Sequence, residues 1–517
     1  MIRAGCWDCG PQRHGPDFLT SRTSGRLSWR ALPKLGVTHN SNTNVQKRLS
    51  RLTSQASCTA IFVLWVCSLT LAATAPNPDS KPEKTGNLTG KTLVLTLKEA
   101  VQIGLTEDGN TRVLLAMQYV RQAKAQTAIE RANLLPNIDA SLIQQNRTTN
   151  LEAIGINFSS IPPSFRPPTF VGPFSTFDAR VKGNQMIFDF STIRRFQASK
   201  VGLTEAQLQQ DQTRNEVTAS IAVQYLSVLR AEASLQTARA NVALAQALWE
   251  LAENQKNAGT GTGIELTRAE VQLANARQQR IEAELERRKT QLQLLKTIGL
   301  PLDTTVEFNE QLNFAPWTPN PLPDVIQTAL TSRADLLAQE KKEEKLKLLY
   351  SAVKWERLPS FYGFGDYGSL GDSASSSLPT RAIGVLVSVP VFDGGRRDAR
   401  RLETLTRLES ERIVSQELRQ QIELEVRTSL DKLHSSEEQV RVAEEGLRLS
   451  QAELEQAQRR YQAGITSGLE ITDAQTRLER ARENRVITLF QHNRAKIDLG
   501  QAMGTIQTMV ETGGISQ

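Results

Sequence analysis

Cysteine is missing from most of this chain. Cys6, Cys9, Cys58 and Cys67 all fall within the first 75 of 517 residues. Past that point neither a disulfide framework nor a thiolate metal site is available, and the Cys6-x-x-Cys9 pair has no second pair to complete a zinc site. Histidine is nearly as scarce: of four, only His434 and His492 lie beyond residue 75. Neither has a clustered ligand or proton-transfer partner, so both read as helix-surface residues rather than catalysts, and no cofactor is expected. Excess charge is missing as well. The formal charge of +7 arises entirely in the first 75 residues, where nine Lys and Arg face two Asp; the remainder holds 53 bases and 53 acids. A neutral body lacks the electrostatic footprint of nucleic-acid binding. Beyond residue 75 there is also no apolar run approaching the roughly 20 residues that a membrane-spanning helix needs.

One apolar run does occur early. Lys47, Arg48 and Arg51 precede "TAIFVLWVCSLTLAATA", which closes on Ala73-Thr74-Ala75. A positive segment, an apolar segment and an A-x-A site make a secretory signal over residues 46–75, with the mature chain starting near Pro76. The run is too short for a transmembrane helix. Lipidation at Cys67 is disfavoured because Val66 and Trp65 replace the small residue that such a site wants. Residues 1–46 are unusual ahead of a signal, and translation is expected to begin near Val45.

What fills the rest is a repeat. "YQAGITSGLEITDAQTRLERAR", from Tyr461, restates "KNAGTGTGIELTRAEVQLANAR", from Lys256, at an offset of 205. Gly259 matches Gly464, Glu265 matches Glu470, and Gly299 matches Gly504. Each half reads helix, strand, polar loop, strand, long helix, tip, long helix. Pro136 and Pro359 end helices and force extended backbone, so "LLP" and "RLP" are helix-to-strand switches. "NIDASLIQQN" and "SFYGFGDYG" then pair with the returning runs "TFDARVKGNQMIF" and "RAIGVLVSVPVF". In the last run, period two puts Ile383, Val385, Val387, Val389 and Val391 on one face. Phe174, Phe177, Phe361, Tyr362, Phe364 and Tyr367 are candidates for an interfacial aromatic belt.

From the acidic turns at Asp189 and Asp393, helical pattern runs 70 and 71 residues to the tip glycines. At 1.5 Å per residue each helix would be about 100 Å long. Heptads such as Val440, Ala443, Leu447, Ser450, Leu454, Ala457 and Tyr461 mix large residues with alanine, as close coiled-coil packing requires. At the tips, Gly259 and Gly464 supply left-handed backbone. Thr466 and Ser467 are expected to cap the returning helix, and Glu470 suits its positive end. That leaves Asp473, three residues on and facing the same side as Glu470. Repeated around a symmetry axis, such acids would form rings that narrow a channel and favour cations. Arg268 stands where Asp473 stands in the other half, and is expected to pair with an acid of a neighbouring hairpin and hold the tip shut.

Four strands cannot close a barrel, and open strand edges are not tolerated in lipid. Three copies would supply a twelve-stranded wall, continued by their helices as a hollow tube.

The "LP" switches, "VPVFDGGRR", "RRYQAGITSGLEITDAQTRLERAR" and the terminal "DLGQAMG" resemble the outer membrane efflux proteins, the TolC-like trimeric channel-tunnels. The likeness covers about residues 92–505 and is worn in the first half, where "IFDFS" replaces "VFDGG". It implies a mainly α fold with a transmembrane β-barrel portion: a homotrimer in the outer membrane lipid, a helical tunnel through the periplasm, and a mixed α/β belt. The repeats would span 92–301 and 323–505, with 302–322 as linker and 506–517 as tail, both feeding the belt. The resemblance further implies closure of the periplasmic end by acids at Glu470, Asp473 and Glu265. Tip links and docking would involve Tyr461, Gly464, Thr466, Gly259 and Arg268. The family's arginine after the tip glycine is replaced here by Thr466, which changes the closure chemistry. A periplasmic adaptor and an inner-membrane pump of RND or ABC type would complete a tripartite efflux or type I secretion system. The rival reading is a structural coiled-coil envelope protein without a pore. It explains the heptads but not two strand–loop–strand units at matched positions.

Overall fold

A computed structural model describes residues 93–513 apart from 107–108, 158, 166 and 318–320. The expected N-terminal extension and signal segment, and the end of the tail, lie outside the described residues.

The first half comprises β1 (Leu93–Val94), α1 (Leu97–Leu105), α2 (Thr111–Ala132), β2 (Asn137–Asn150), β3 (Phe170–Phe188), α3 (Phe190–Asn257) and α4 (Gly263–Ile298). The second comprises β4 (Val306–Glu307), α5 (Leu322–Ser332), α6 (Ala334–Trp355), β5 (Ser360–Gly371), β6 (Leu378–Ser388), α7 (Arg396–Gln462), α8 (Gly468–Ala502) and α9 (Ile506–Glu511). Both prolines sit between helix and strand. The acidic turns start the long helices: Asp189 accepts from Ser191 N–H at 2.9 Å, and Asp393 from Arg397 N–H at 3.1 Å. These helices run 68 and 67 residues without a break, about 100 Å each.

The four long strands form one antiparallel sheet in the order β2-β3-β5-β6. Residues directly opposite in register share a face, and the two faces differ in kind. Leu142 lies across from Ala179, Ala140 from Val181, which in turn faces Tyr367; Gly365 faces Ile383, and Phe361 faces Val387. That face is mostly apolar, with Arg381 opposite Tyr367 near its loop end, and Leu142, Tyr367, Ile383 and Val387 are exposed. The opposite face carries Asp139, Asp178, Arg180, Lys182 and Asp366. Arg180 bridges Asp178 at 2.9 Å and Asp366 at 2.8 Å, tying the first repeat to the second. The aromatic belt therefore divides: Phe361 and Tyr367 are on the apolar face, whereas Tyr362 and Phe364 are on the polar one. Phe364 lies over Gly384, where an added Cβ would come within 2.5 Å of the ring.

The last strand is shorter than its alternation predicts. It ends at Ser388, the partner of Ser360, because β5 begins there and Val389 to Phe392 have nothing to pair with. Pro390 also lacks an amide donor.

Near the sheet, the helices pack in the order α2-α3-α6-α7; toward the tips, in the order α4-α3-α8-α7. Heptad residues Val440, Ala443, Leu454 and Ala457 are buried, as are Leu235, Ala238, Ala245 and Ala252 of the first half. Midway along the helices a belt wraps them. β1 pairs in parallel with β4, and α1 and α9 share one core with α3 through Ile221, Tyr225, Ile506 and Met509. Here one expectation fails. His492 is 0% exposed rather than on a helix surface. The belt segment lies across α8, so that Nε2 meets the Ala315 carbonyl at 3.1 Å and Nδ1 meets Ser436 Oγ at 3.2 Å. Burial holds its pKa below the ordinary histidine value.

Candidate functional site at the hairpin tips

Both hairpins reverse through the same backbone. Ala258 and Ala463 end their helices in right-handed conformation, and Gly259 and Gly464 follow at φ +77° and +71°. Only glycine takes that φ without steric cost. Five residues in each tip separate the descending from the returning helix.

Differences begin at the returning helices. Thr262 and Glu265 form a capping box on α4, with Glu265 Oε2 accepting from Thr262 N–H at 3.0 Å. The other oxygen, Oε1, accepts from Gly468 N–H at 3.1 Å, at the start of α8 in the other half. One carboxylate thus holds the first turns of two helices 203 residues apart. Amide donation by Thr262 and Gly468, in that order, draws its pKa below the ordinary glutamate value; the Arg268 charge adds a smaller pull. Charge-assisted bonds to helix N-termini favour the ionised form.

This arrangement corrects the expected cap. Ser467 occupies the N-cap position of α8 with extended backbone, but its hydroxyl makes no capping bond. The Glu470 amide turns to the Ser467 backbone carbonyl at 3.2 Å instead, and the Gly468 amide is held by Glu265. Thr466 does not cap either, because its hydroxyl donates to the Glu470 carboxylate.

Neither acid of the second tip is bare. Glu470 accepts from Arg460 at 2.8 Å across the turn. Asp473 pairs with Arg477 at 2.6 Å, and Arg477 also reaches Glu453 of α7 at 2.6 Å. Arg460 and Arg477 are tip residues that the sequence reading did not single out. The i, i+4 spacing of Asp473 and Arg477 is a signal that reveals the second; the first pairs only because the chain reverses. Arg268, by contrast, is exposed and forms no ion pair among the described residues.

Tyr461 lies beneath the tip, buried with Leu454, Ala457, Ile471 and Leu478 against Leu248 and Leu251 of α3. Burial, with the nearby Glu265 charge, raises its pKa. At the tip the two hairpins are therefore joined by an apolar cluster below and by the Glu265 carboxylate at the end.

A half-open sheet with one apolar face, carried on helices about 100 Å long that end in paired acidic tips, defines the class of outer membrane channels with a periplasmic helical duct. The chain belongs to the outer membrane efflux protein family, whose pattern matches residues 103–300 and 325–505. It is 24% identical over 408 residues to the pyoverdine export outer membrane protein OpmQ of Pseudomonas putida, covering 78% of this chain and 84% of that one. It is 21% identical over 416 residues to the alkaline protease secretion protein AprF of Pseudomonas aeruginosa, covering 76% and 82%. Among solved structures, CusC superimposes with a TM-score of 0.67 at 18% identity, covering 82% of this chain and 95% of that one. The MtrE outer membrane channel of Neisseria gonorrhoeae, in its open state, gives 0.66 at 18%, covering 79% and 88%. The protein is an outer membrane export channel of mainly helical build.

Proposed function

We propose that three copies of this chain form one continuous duct, sealed at its periplasmic end by the tips. The observation that carries this reading is that both layers of the chain are open at the same two edges. One edge is β2 with α2 and α4; the other is β6 with α7. Each edge also bears apolar side chains that the chain itself leaves uncovered. On α7, Leu402, Ile413, Leu424, Val442 and Leu449 are exposed. Their separations of 11, 11, 18 and 7 residues are all near whole turns, so they form one stripe. On the other edge, Leu115, Tyr119 and Ile129 of α2 and Val271, Ile281 and Leu285 of α4 are exposed. Counting about 1.5 Å per residue from the tips puts Val442 and Leu285 at matching height, and counting from the sheet does the same for Ile413 and Leu115. The edges differ from one another, so the contact is head-to-tail and closes into a ring.

Three copies rather than two follow from the strand number. Two would make an eight-stranded barrel, about the size whose interior side chains fill, whereas twelve strands leave an opening. In that ring the apolar face meets lipid and the Arg180 cluster faces the lumen.

At the far end, six tips converge. Glu470, Asp473 and Glu265 form the narrow collar, the first two paired with arginines of their own chain and the third with two backbone amides, so closure is built from partnered acids rather than from bare repulsion. Arg268, on the open edge beside a neighbour's α7, supplies the link between copies. The tip surface around Gly259, Gly464 and Thr466, which the buried Tyr461 supports from beneath rather than lines, receives a periplasmic adaptor, which connects the duct to an inner-membrane pump of RND or ABC type. The relatives named for pyoverdine export and for alkaline protease secretion support a role in passing cargo outward.

The mass of the purified protein in detergent, with conductance in planar bilayers, tests the reading. A threefold mass and discrete conducting steps are expected, and Ile413→Asp should shift the protein toward monomer. A wild-type protein that extracts without detergent and stays monomeric is a scaffold, and the duct is lost.

A further inference from the structure

Where the sheet meets the helices, the chain carries more cations than it neutralises. Glu356 takes both Arg195 and Arg400, Asp393 takes Arg397, and Asp398 takes Arg357. Asp189 is spent on its helix cap, and Glu130 accepts from the side-chain amides of Gln126 and Asn133. Several cations at this level remain without an acid in ion-pair range among the described residues, among them Arg194, Lys200, Lys354, Arg396 and Arg401. They come from both repeats, and all lie within about three helical turns of a strand end.

Three of them stand on aromatic rings. Arg194 lies 4.9 Å from the Phe190 ring, Phe190 meets Trp355 edge-on at 5.3 Å, and Lys354 lies 5.5 Å from Trp355. Lys200 covers Phe196 at 4.5 Å. The ladder Arg194-Phe190-Trp355-Lys354 crosses from α3 to α6 and belongs to the apolar side of the sheet. Phe188 is the register partner of Phe361 on the apolar face and touches its ring at 6.4 Å. Asp189 is extended, so Phe190, two residues on, leaves the strand on that side. Val391 and Phe392, 94% and 89% exposed, prolong the apolar surface past β6 to Arg396.

We propose that this collar binds the anionic phospholipid headgroups of the leaflet facing the periplasm, and so sets the depth and tilt of the barrel in the membrane. Aromatic rings sit at the boundary between hydrocarbon and headgroups. Long cationic side chains reach from there into the headgroup layer, where anionic lipids attract them. The proposal uses the duct reading only in requiring that the apolar face of the sheet meet lipid.

The test reconstitutes the full protein with bromine-labelled lipids and reads quenching of Trp355, the only tryptophan beside the strand ends among the described residues. Brominated phosphatidylglycerol is compared with brominated phosphatidylcholine. An advantage of about fivefold for phosphatidylglycerol at low salt is expected, the scale set by one surface cation on an anionic leaflet, and it should fade toward 0.5 M salt. The triple change Lys200→Gln, Lys354→Gln, Arg396→Gln should bring the ratio near one, while Lys200→Arg, Lys354→Arg, Arg396→Lys should keep it. Equal quenching by the two lipids in the wild type overturns the proposal, as does a ratio untouched by the triple change. If the neutral variant loses its trimer on a native gel while the wild type shows no lipid preference, the cations serve a neighbouring copy instead. Native gels of the same samples report the oligomer separately, so failure of the duct reading is seen independently of failure of the collar.

Discussion

The two hairpin tips share a backbone and differ in how they are held. In the first, α4 is capped by its own Thr262 and Glu265; in the second, α8 is capped by Glu265 from the other repeat. Their packing differs too. The second tip has its own apolar cluster around Tyr461 and Leu478, with α3 leucines against it. The first has only Ala245, Leu273 and Ala276 with Val242 and Trp249. Duplication made two equal hairpins, and divergence made one lean on the other. A tip that depends on its neighbour for its cap cannot swing away without exposing amide donors, so the second hairpin is the conditional element of the pair.

The sharpest way to break this comparison is through the packing. Leu478→Ala removes a side chain 1% exposed at the heart of the cluster and should destabilise the tip by about 2–5 kcal/mol. Leu273→Ala, at a site 6% exposed with fewer neighbours, should cost less. Hydrogen exchange over residues 463–480 and 258–275 reads both, and equal effects would erase the asymmetry.

Next comes the shared cap. Glu265→Gln weakens two charge-assisted bonds at once and should cost about 1–3 kcal/mol. Amides at the starts of both α4 and α8 should then exchange faster, and the channel should conduct more. Faster exchange in α4 alone would mean that the link to Gly468 holds nothing. Acid should act in the same way. Because the folded pKa of Glu265 lies below the ordinary 4.5, its stabilisation is complete above that value and is lost as pH falls through the depressed one. Conductance should therefore rise on acidification below about pH 4.5 in the wild type, with that step missing in Glu265→Gln.

Glu470→Gln removes an exposed pair with Arg460, and about 0.2–1 kcal/mol is at stake. Exchange at the Gly464 turn should rise slightly and α4 should be unaffected. Arg268→Asp restores symmetry with Asp473 and breaks no ion pair among the described residues, but it replaces the weak pull of the Arg268 charge on Glu265 with repulsion, so about 0.2–0.5 kcal/mol should be lost. Conductance is the informative readout there. A rise assigns Arg268 to the contact between copies, and an unchanged value removes it from the closure.

Much of this molecule was legible as text. Pro136 and Pro359 mark the switches, Gly259 and Gly464 the reversals, and the heptads name the buried helix faces, because each of these effects acts within a few residues. The Thr262-x-x-Glu265 capping box was readable on the same grounds. Its second bond was not, since nothing in the spacing of Glu265 and Gly468 says that two helix starts will lie side by side. Ser467-x-x-Glu470 has the same signature and misleads, because Arg460 and Thr466 hold the Glu470 carboxylate. His492 looked superficial for a similar reason, as the segment that buries it lies 177 positions away.

By itself the sequence determined the repeat, the alternation of helix and strand, the lengths of the long helices and the neutrality of the body, since these depend on local backbone chemistry and periodic burial. Only the tertiary structure decided which face of the sheet is apolar across all four strands, where the last strand stops, and which carboxylate serves which helix. Those outcomes rest on register and on competition among distant groups for the same donors, and no local pattern records who wins.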